Sequence, residues 1–468
     1  MTNGVHDLAI KKHKLGRMTA KQLLALAVSS ALFAPVVNSQ TLEQTVAYTI
    51  ETSPVITQSF NQFKAREEQV NQAMSGYLPT LDLTAGYGLE KNETPVSKAA
   101  KKGDIELDRS ELGLSLRQNL FNGFFTTHDV DRLDHETSAA QWQLFATAED
   151  MALQVAKVYL NYLEASQIVA LAQENVNKHQ ALYGQIEEKT RSGLGSTADL
   201  SQSKGRLARA KSNLVAAQNN LADAKSEYAK ITNQAPINMT KPAADRAALP
   251  QTLEQALTLA KDNHPVLQAA YSDIQAAESE KDATQANYYP DIDLELSGLW
   301  SNESYDRSSP NDGDSQELKA GIQMRYNLFN GGKDTARERE AAYKIGEAKG
   351  IQQNTYRSIV DGTTLAWNAY QYLGEQKTFI QEHVAASKET QSSYAQQFKL
   401  GQRSLLDLLD SENELFEAKK DYLGAEFDEL LAQYRLLNAT GQLLSSLQIT
   451  TPETWYGEQE YISGVQGQ

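Results

Sequence analysis

The chain consists of two copies of one unit, and this duplication constrains the fold more than any other feature of the sequence. Five segments of the first half recur in the second half in the same order, each 208 to 211 residues later. The pairs are TLEQTVAYTIETSPV with TLEQALTLAKDNHPV, YLPTLDL with YYPDIDL, RQNLFNG with RYNLFNG, SGLGSTADL with LGQRSLLDL, and TNQ with TGQ. Matches in a constant order indicate an internal repeat. We therefore expect one architecture to be built twice.

The repeat sets the predicted domain boundaries. The first structural repeat covers residues 40–235, and the second covers residues 252–445. A proline-bearing linker, 236–251, joins them. The tail 446–468 has no counterpart in the first copy, and we predict a surface or disordered segment there. Residues 1–39 precede the repeats and have a different composition.

Residues 1–39 have the layout of a secretory signal peptide. Five basic side chains precede the apolar run LLALAVSSALFAPVV, and the small residue Ser39 follows it. This order of a basic region, a short apolar region and a small residue is typical of a cleaved export signal. A transmembrane anchor is disfavoured, because about 15 apolar residues are short for a bilayer span. We predict an exported protein whose mature chain begins at Gln40.

Composition excludes several classes of function. The chain has no cysteine, which rules out disulfides, thiolate metal sites, a cysteine nucleophile and an N-terminal lipid anchor on cysteine. Its formal net charge of -16 disfavours binding to nucleic acid, since phosphate neutralisation needs a basic face. The histidines lack metal-ligand spacing, and the segment LFNGG lacks the Lys and Ser/Thr of a phosphate-binding loop. We expect no enzyme and no cofactor.

Each repeat contains two runs of strictly alternating polarity. In the first copy the apolar positions of LDLTAGYGL and ELGLSLRQNL alternate with polar residues or glycine, and the second copy repeats the pattern near 291–299 and 320–327. Alternation over about ten residues fits strands of a membrane barrel, with lipid on one face and water on the other. An ordinary half-buried antiparallel sheet shows the same pattern. The charged alternate positions and the export signal favour the barrel. The polar segments 90–109 and 301–316 are predicted as exposed loops.

The remainder of each repeat is predicted as helix. A helix of roughly 35 residues opens each copy, at 41–75 and 252–287. After the strands come proline-free stretches of nearly 70 residues, about 125–191 and 333–400. Each would form a rod of roughly 100 Å. Shorter helices, about 197–233 and 404–440, return from the ends of the rods.

The strand count predicts an assembly. Four strands per chain cannot close a barrel that spans a membrane, so their edges must pair with other chains. Three chains would supply twelve strands, an even number that known barrels use. The predicted fold class is an α+β membrane protein with a long helical coiled-coil tunnel and a twelve-stranded β-barrel shared by three chains.

The order of elements, the YLP and YYP segments, both NLFNG segments and the two glycine turns together resemble the TolC family of trimeric outer-membrane export channels. The resemblance covers nearly all of residues 40–445. It implies a homotrimer in the outer membrane, in contact with its lipid, and a tunnel that reaches through the periplasm to a closable tip. It also implies two partners, a periplasmic adaptor (membrane fusion) protein and an inner-membrane transporter of ABC or proton-driven type.

The resemblance assigns roles to residues at the two helical turns. The turns contain Gly193 and Leu194 in the first copy and Gly401 in the second, and the family implies contact with the adaptor there. The periplasmic gate maps onto Asp199, Phe398 and Arg403, with Arg403 paired to Asp199. The family commonly has Tyr at the position of Phe398, so closure would depend more on the ion pair and on packing of the ring.

Two further acids follow the second turn. Asp407 and Asp410 are three residues apart and therefore share a helix face. In a trimer they would form a lumen ring of six carboxylates that attracts cations. The ordinary alternative for all these charges is a solvated helix face; the repeat and the resemblance favour the gate.

Three functions remain open on the sequence. The first is the exit duct of type I protein secretion, which we favour because the chain lacks a lipidation cysteine. The second is the outer-membrane component of a small-molecule efflux pump. The third is a soluble periplasmic coiled-coil structural or adaptor protein, which would not need the four alternating strands.

Overall fold

The computed structural model describes residues 39–92, 105–305 and 312–457. The predicted signal peptide lies outside these residues except for Ser39, as do the centres of both predicted loops and residues 458–468 of the tail. The described residues form these helices and strands: α1 Leu42–Thr52, α2 Pro54–Met74, β1 Thr80–Asn92, β2 Ile105–Asn122, α3 Phe125–Arg191, α4 Thr197–Thr232, α5 Leu253–Asn263, α6 Pro265–Thr284, β3 Asp291–Tyr305, β4 Gly313–Arg325, α7 Lys333–Lys399, α8 Leu405–Ala439 and α9 Leu443–Ser446.

Two very long helices set the dimensions of the molecule. Helices α3 and α7 each contain 67 residues, and α4 and α8 pack back along them as helical hairpins. A rise of 1.5 Å per residue makes each long helix roughly 100 Å in length. The predicted positions of both hairpins are confirmed to within a residue or two. None of the described helices is both long enough and apolar enough to cross a membrane.

The opening helix of each repeat is broken, contrary to the prediction of single helices over 41–75 and 252–287. The first break falls at Ser53, and Pro54 begins α2; the second falls at His264, and Pro265 begins α6. Proline lacks the N–H that would continue the preceding helix, but it fits the first position of a new one. The prediction was wrong because it used only the later prolines as helix ends.

The four strands form one antiparallel sheet in the order β1-β2-β3-β4. Strands β2 and β3 join the two repeats, with Leu116 opposite Leu296. The strands extend further into 90–109 and 301–316 than predicted, because β2 begins at Ile105 and β4 at Gly313. The described edges of β1 and β4 have no partner strand within the chain.

The two faces of the sheet differ in polarity, as the alternation predicted. One face exposes an apolar row, in which Leu83 and Ile322 are each 70% exposed. The other face carries ion pairs between strands, including Arg109 with Glu303 at 3.0 Å. An exposed apolar face of this size needs a covering of lipid or protein.

The main core lies midway along the hairpins, where both repeats meet. Tyr159, Tyr228 and Leu437 are fully enclosed there. The Tyr159 hydroxyl lies 2.8 Å from the carbonyl of Gln40 and 2.7 Å from that of Thr240, which ties the residue before α1 and the linker to α3. The core therefore fastens the first repeat, the linker and α8 together.

The first part of the tail, residues 446–457, runs along the surface with several exposed residues, but two of its side chains are anchored in the core, which the prediction did not foresee. Leu447 and Trp455 are both buried in the main core, and Gln141 donates a 2.7 Å hydrogen bond to the Trp455 carbonyl. Large apolar side chains favour burial wherever a surface is open to them. The tail has no counterpart in the first repeat, so comparison of the two repeats gave no indication of this packing.

A buried carboxyl group holds the segment before the tail in place. Glu149 accepts hydrogen bonds from the backbone N–H groups of Leu443 at 3.1 Å and Leu444 at 3.2 Å. Burial raises the pKa of Glu149 to about 7 against the lowering effect of these two bonds. The folded chain thus binds the proton of the Glu149 carboxyl more tightly than the unfolded chain does. The contribution of Glu149 to the stability of the fold therefore decreases as the pH rises from 4.5 to about 7.

Replacing Glu149 by alanine should destabilise the folded chain. Two enclosed N–H groups would lose their acceptors, at a cost of about 1–3 kcal/mol. Thermal unfolding followed by circular dichroism measures the effect. Asp150→Ala is the matched control, since Asp150 is the next residue and is exposed. Equal shifts in the two variants would contradict the role assigned to Glu149.

Candidate functional site: the tips of the two helical hairpins

Both hairpins turn at a glycine in the left-handed region. Gly193 has φ of +78° and Gly401 has φ of +75°, which confirms the predicted need for glycine at the turns. Leu194 N–H donates to the Lys189 carbonyl at 2.9 Å, and Gln402 N–H donates to the Gln397 carbonyl at 2.9 Å. These bonds satisfy the last carbonyls of α3 and α7.

Leu194 is the most exposed part of the first tip. Its side chain is 84% exposed, although leucine is an apolar residue. An exposed leucine alone is common, but this one projects from a turn that is fixed by backbone hydrogen bonds. The first tip therefore presents a rigid apolar point to the surroundings.

An apolar cluster joins the two hairpins just above the turns. Ile186 of α3 packs against Leu405 and Leu409 of α8, all of which are buried. Phe398 lies at the edge of this cluster, and the Lys189 ammonium lies 5.0 Å from the centre of its ring. Phe398 therefore contacts the first hairpin from the second; its part in closure stays a prediction.

Arg403 lies among residues of its own hairpin. Its guanidinium donates to the Gln397 side chain at 2.9 Å and lies 3.7 Å from the Asp407 carboxylate. Its guanidinium carbon is 4.2 Å from the centre of the Tyr394 ring, a cation–π contact. The chain does not bring Arg403 to Asp199, which is half-buried at the start of α4. The pair that was predicted across neighbouring hairpins is not formed within the chain, and in an assembly it stays a prediction.

The two acids of the predicted lumen ring both have cationic partners within the chain. Asp407 lies beside Arg403, as above, and Asp410 accepts a 2.6 Å hydrogen bond from Arg206 of α4. Their side chains remain 40% and 57% exposed. The charge that they present to an ion is therefore smaller than six free carboxylates would give.

Three ionic contacts join the first hairpin to α8, and the Arg206–Asp410 pair is the one nearest the tips. Lys178 lies 3.8 Å from Glu412, and Lys419 lies 3.5 Å from Glu174. Together they form what we call the inter-hairpin ladder: Arg206–Asp410, Lys178–Glu412 and Glu174–Lys419. The Arg206–Asp410 and Glu174–Lys419 pairs are partly exposed, and pairs of this kind contribute about 0–1 kcal/mol each. Glu412 of the third pair is buried.

Sequence reasoning missed Arg206 and Tyr394. Arg206 is seven residues after Asp199 and shares its helix face, so the spacing was visible, but nothing in the sequence related it to Asp410. Tyr394 precedes Phe398 by one helical turn, and only the fold of the turn brings it to Arg403. These contacts depend on the docking of separate helices.

The sequence matches the model of a known protein family over most of its length. The model of the outer membrane efflux protein family matches residues 48–234 and 256–442, which are the two repeats. The chain belongs to the outer membrane efflux protein family. The duplication predicted from the sequence coincides with the two matched regions.

Individual relatives extend over nearly the whole chain. The chain is 24% identical to the outer membrane efflux protein BepC of Brucella suis biovar 1 over 452 residues, 95% of each chain. It is 25% identical over 434 residues to the outer membrane protein TolC of Vibrio cholerae serotype O1, covering 90% of this chain and 96% of TolC. The crystal structure of the CmeC outer membrane channel of Campylobacter jejuni superposes with a TM-score of 0.74 at 15% identity, covering 86% of each chain.

Membership of the efflux family confirms the predicted fold class and location. The fold is that of the trimeric outer-membrane channels, with long helical hairpins and four strands per chain. The protein is located in the outer membrane of a Gram-negative cell. The family and fold are those of channels, and the soluble adaptor alternative is not favoured.

Arg206→Ala should loosen the contact between the hairpins of this efflux family member. The variant leaves Asp410 without its partner and adds a free negative charge near the tip. We expect a higher single-channel conductance in planar bilayers, with the assembly intact in detergent. Arg209→Ala is the matched control, since Arg209 is exposed on the same helix and forms no ion pair among the described residues. Unchanged conductance in Arg206→Ala would exclude the pair from the closed state.

Proposed function

We propose that the chain forms the outer-membrane exit duct of an export machine, working with an inner-membrane transporter and a periplasmic adaptor. The single observation that carries this proposal is the pair of long hairpins whose tips lie at the far end from the strand sheet. Such a shape spans a distance of roughly 100 Å away from the membrane. The energy for export comes from the partners, since the sequence contains no nucleotide-binding motif.

The homotrimer is supported by an uneven distribution of burial. Helix α3 has 21 buried residues, whereas α7, of equal length, has only five. Leu365, Tyr372 and Phe379 of α7 are spaced by seven residues and are all more than half exposed. A sustained seven-residue apolar stripe is typical of a helix that packs against another helix. Neighbouring copies of the chain would cover this stripe and pair the open strand edges.

We propose proteins, exported by type I secretion, as the substrate. The lack of a cysteine for lipid anchoring supports this proposal, because it resembles the branch of the TolC family without a lipid anchor. Small-molecule efflux is the second candidate. The description of the family and the name of the relative BepC favour it.

We propose the tips as the contact with the adaptor. Gly193 and Gly401 fix the turns, and Leu194 provides an exposed apolar side chain that a partner pocket can enclose. Buried apolar side chains at the centre of an interface supply much of its binding energy.

We propose a gate at the same tips. Arg403 would pair with Asp199 across neighbouring chains in the closed state, with Phe398 packed against the first hairpin. Three such pairs would bias closure by about 1–3 kcal/mol in total. A partner could reverse so small a bias by binding the open state more tightly. Asp410 would attract cations most strongly once the hairpins separate and free it from Arg206, whereas Asp407 would stay beside Arg403 of its own hairpin.

Arg403→Ser should raise single-channel conductance without loss of the trimer. Conductance should rise because the substitution removes the guanidinium that would hold the second tip against Asp199. Asp199→Ala should have the same effect, and the double variant should add little beyond either one. Additive effects would show that the two residues do not act as a pair, and Phe398 packing would then account for closure.

Deletion of the gene in its native host tests the export function. We expect one or more secreted proteins to disappear from the medium, and the wild-type gene should restore them. Leu194→Asp should fail to restore secretion although the trimer still forms, because a charge enters the adaptor contact. Val215→Asp is the matched control, since Val215 is an exposed apolar residue of the same hairpin.

The same strains distinguish the two substrates. An unchanged secreted proteome together with increased sensitivity to drugs or dyes would favour small-molecule efflux. Normal secretion and normal drug resistance in the deletion strain would contradict the export function.

A further inference from the structure

One buried histidine lies beside the inter-hairpin ladder. His179 of α3 is 4% exposed, and its Nδ1 atom is enclosed without a hydrogen-bond partner among the described residues. Buried side-chain nitrogens are usually hydrogen-bonded, so an unpartnered one needs an explanation. Neither the proposed adaptor contact nor the proposed gate uses His179.

The position of His179 on α3 puts it on the stripe that faces the other helices. Val176, three residues before it, packs on Leu207 of α4, and Ile186, seven residues after it, packs on Leu405 of α8. Residues three, four and seven apart share a helix face. His179 therefore lies where α3, α4 and α8 meet.

Two cations lie near His179 on α3 and α4, and their carboxylate partners lie on α3 and α8. Lys178 is its neighbour on α3, and Arg206 lies on α4; both lower the pKa of His179, after burial, which is the largest cause. Asp410 and Glu412 of α8 are engaged with these cations at 2.6 Å and 3.8 Å, and Glu174 of α3 lies 3.1 Å from Lys178. A proton on the imidazole would add a third positive charge beside cations that already have their partners.

We propose that His179 makes the docking of the first hairpin on α8 sensitive to acid. Protonation of the imidazole would place a third positive charge near Arg206 and Lys178 in an enclosed site, and its repulsion of both would weaken the ion pairs that they form with α8. Separation of the hairpins gives the charged ring access to water. Acid therefore favours the opened tip. The proposal rests on the proposed function, because an opened tip matters only in a duct.

The direction of the pH effect follows from linkage. The docked hairpins hold the His179 pKa below its ordinary value of 6.5, and separation returns it toward that value. The opened state thus binds the proton more tightly than the docked state. Docking is fully stable above pH 6.5 and weakens as the pH falls below it.

Spin labels at the two tips measure the docking directly. Ser192→Cys and Gln402→Cys place one label on each exposed tip, and the chain has no cysteine of its own. Trimers that contain a minority of labelled chains report the distance within one chain. Between about pH 7.5 and about pH 5, we expect the longer-distance population to rise at least threefold and the conductance of the unlabelled protein to rise about twofold.

Substitutions of His179 test whether this residue causes the acid response. His179→Gln should abolish both acid responses, because glutamine cannot take up the proton. His179→Leu, which fills the same enclosed site with an apolar side chain, should do the same and serves if the glutamine variant fails to assemble. His383→Gln is the matched control: His383 lies 2.9 Å from Glu414 within the second hairpin and its side chain is 50% exposed. It should keep the full acid response.

The outcomes separate this proposal from the proposed function. An acid response that survives in His179→Gln and His179→Leu would overturn the role of His179. An absence of any acid response in the wild type would overturn it as well. The label distances do not depend on export, so normal acid opening in a protein that exports nothing would contradict the proposed function alone.

Discussion

Burial of helix α3 is the constraint on which the rest of the structure depends. A helix of 67 residues cannot cover its apolar positions with one partner, and α3 packs against α2 and α4 of its own repeat and against α6 and α8 of the other. Each repeat therefore needs the other to bury its apolar surface. Because α3 takes most of the available partners, α7 keeps an exposed apolar stripe that only another chain can cover. The duplication and the assembly are two consequences of the same requirement.

The sheet has a similar requirement at the other end of the molecule. Main-chain groups at an open strand edge must find hydrogen-bond partners when water is excluded. The described edges of β1 and β4 remain open within one chain. The exposed apolar face and the ion-paired polar face of the sheet suit a wall with lipid on one side and water on the other. Strand pairing between chains satisfies both conditions at once.

The hairpin tips are held by weaker forces than the core. Their contacts are a small apolar cluster around Ile186 and Leu409 and a set of partly exposed ion pairs such as Arg206–Asp410. Each pair is screened by water and contributes little. The main core at Tyr159 and Leu437 is fully enclosed. In the proposed gating, this core would stay intact while the tips separate. This gradient of stability along the hairpins is what a gate requires, since the closed state must be reversible by binding of a partner.

The sequence by itself determined the duplication, the two hairpins, the strand alternation and the glycine turns at Gly193 and Gly401. These features are local: periodicity, proline position and glycine conformation act over a few residues, so they are legible without a structure. The breaks next to Pro54 and Pro265 are local as well, and the prolines mark them in the sequence. Tertiary structure alone decided the burial of Trp455 and the partners of Asp410 and Arg403. Those choices depend on which helix docks beside which. A side chain such as Arg206 finds its carboxylate only after packing brings residues 204 positions apart within 2.6 Å of each other.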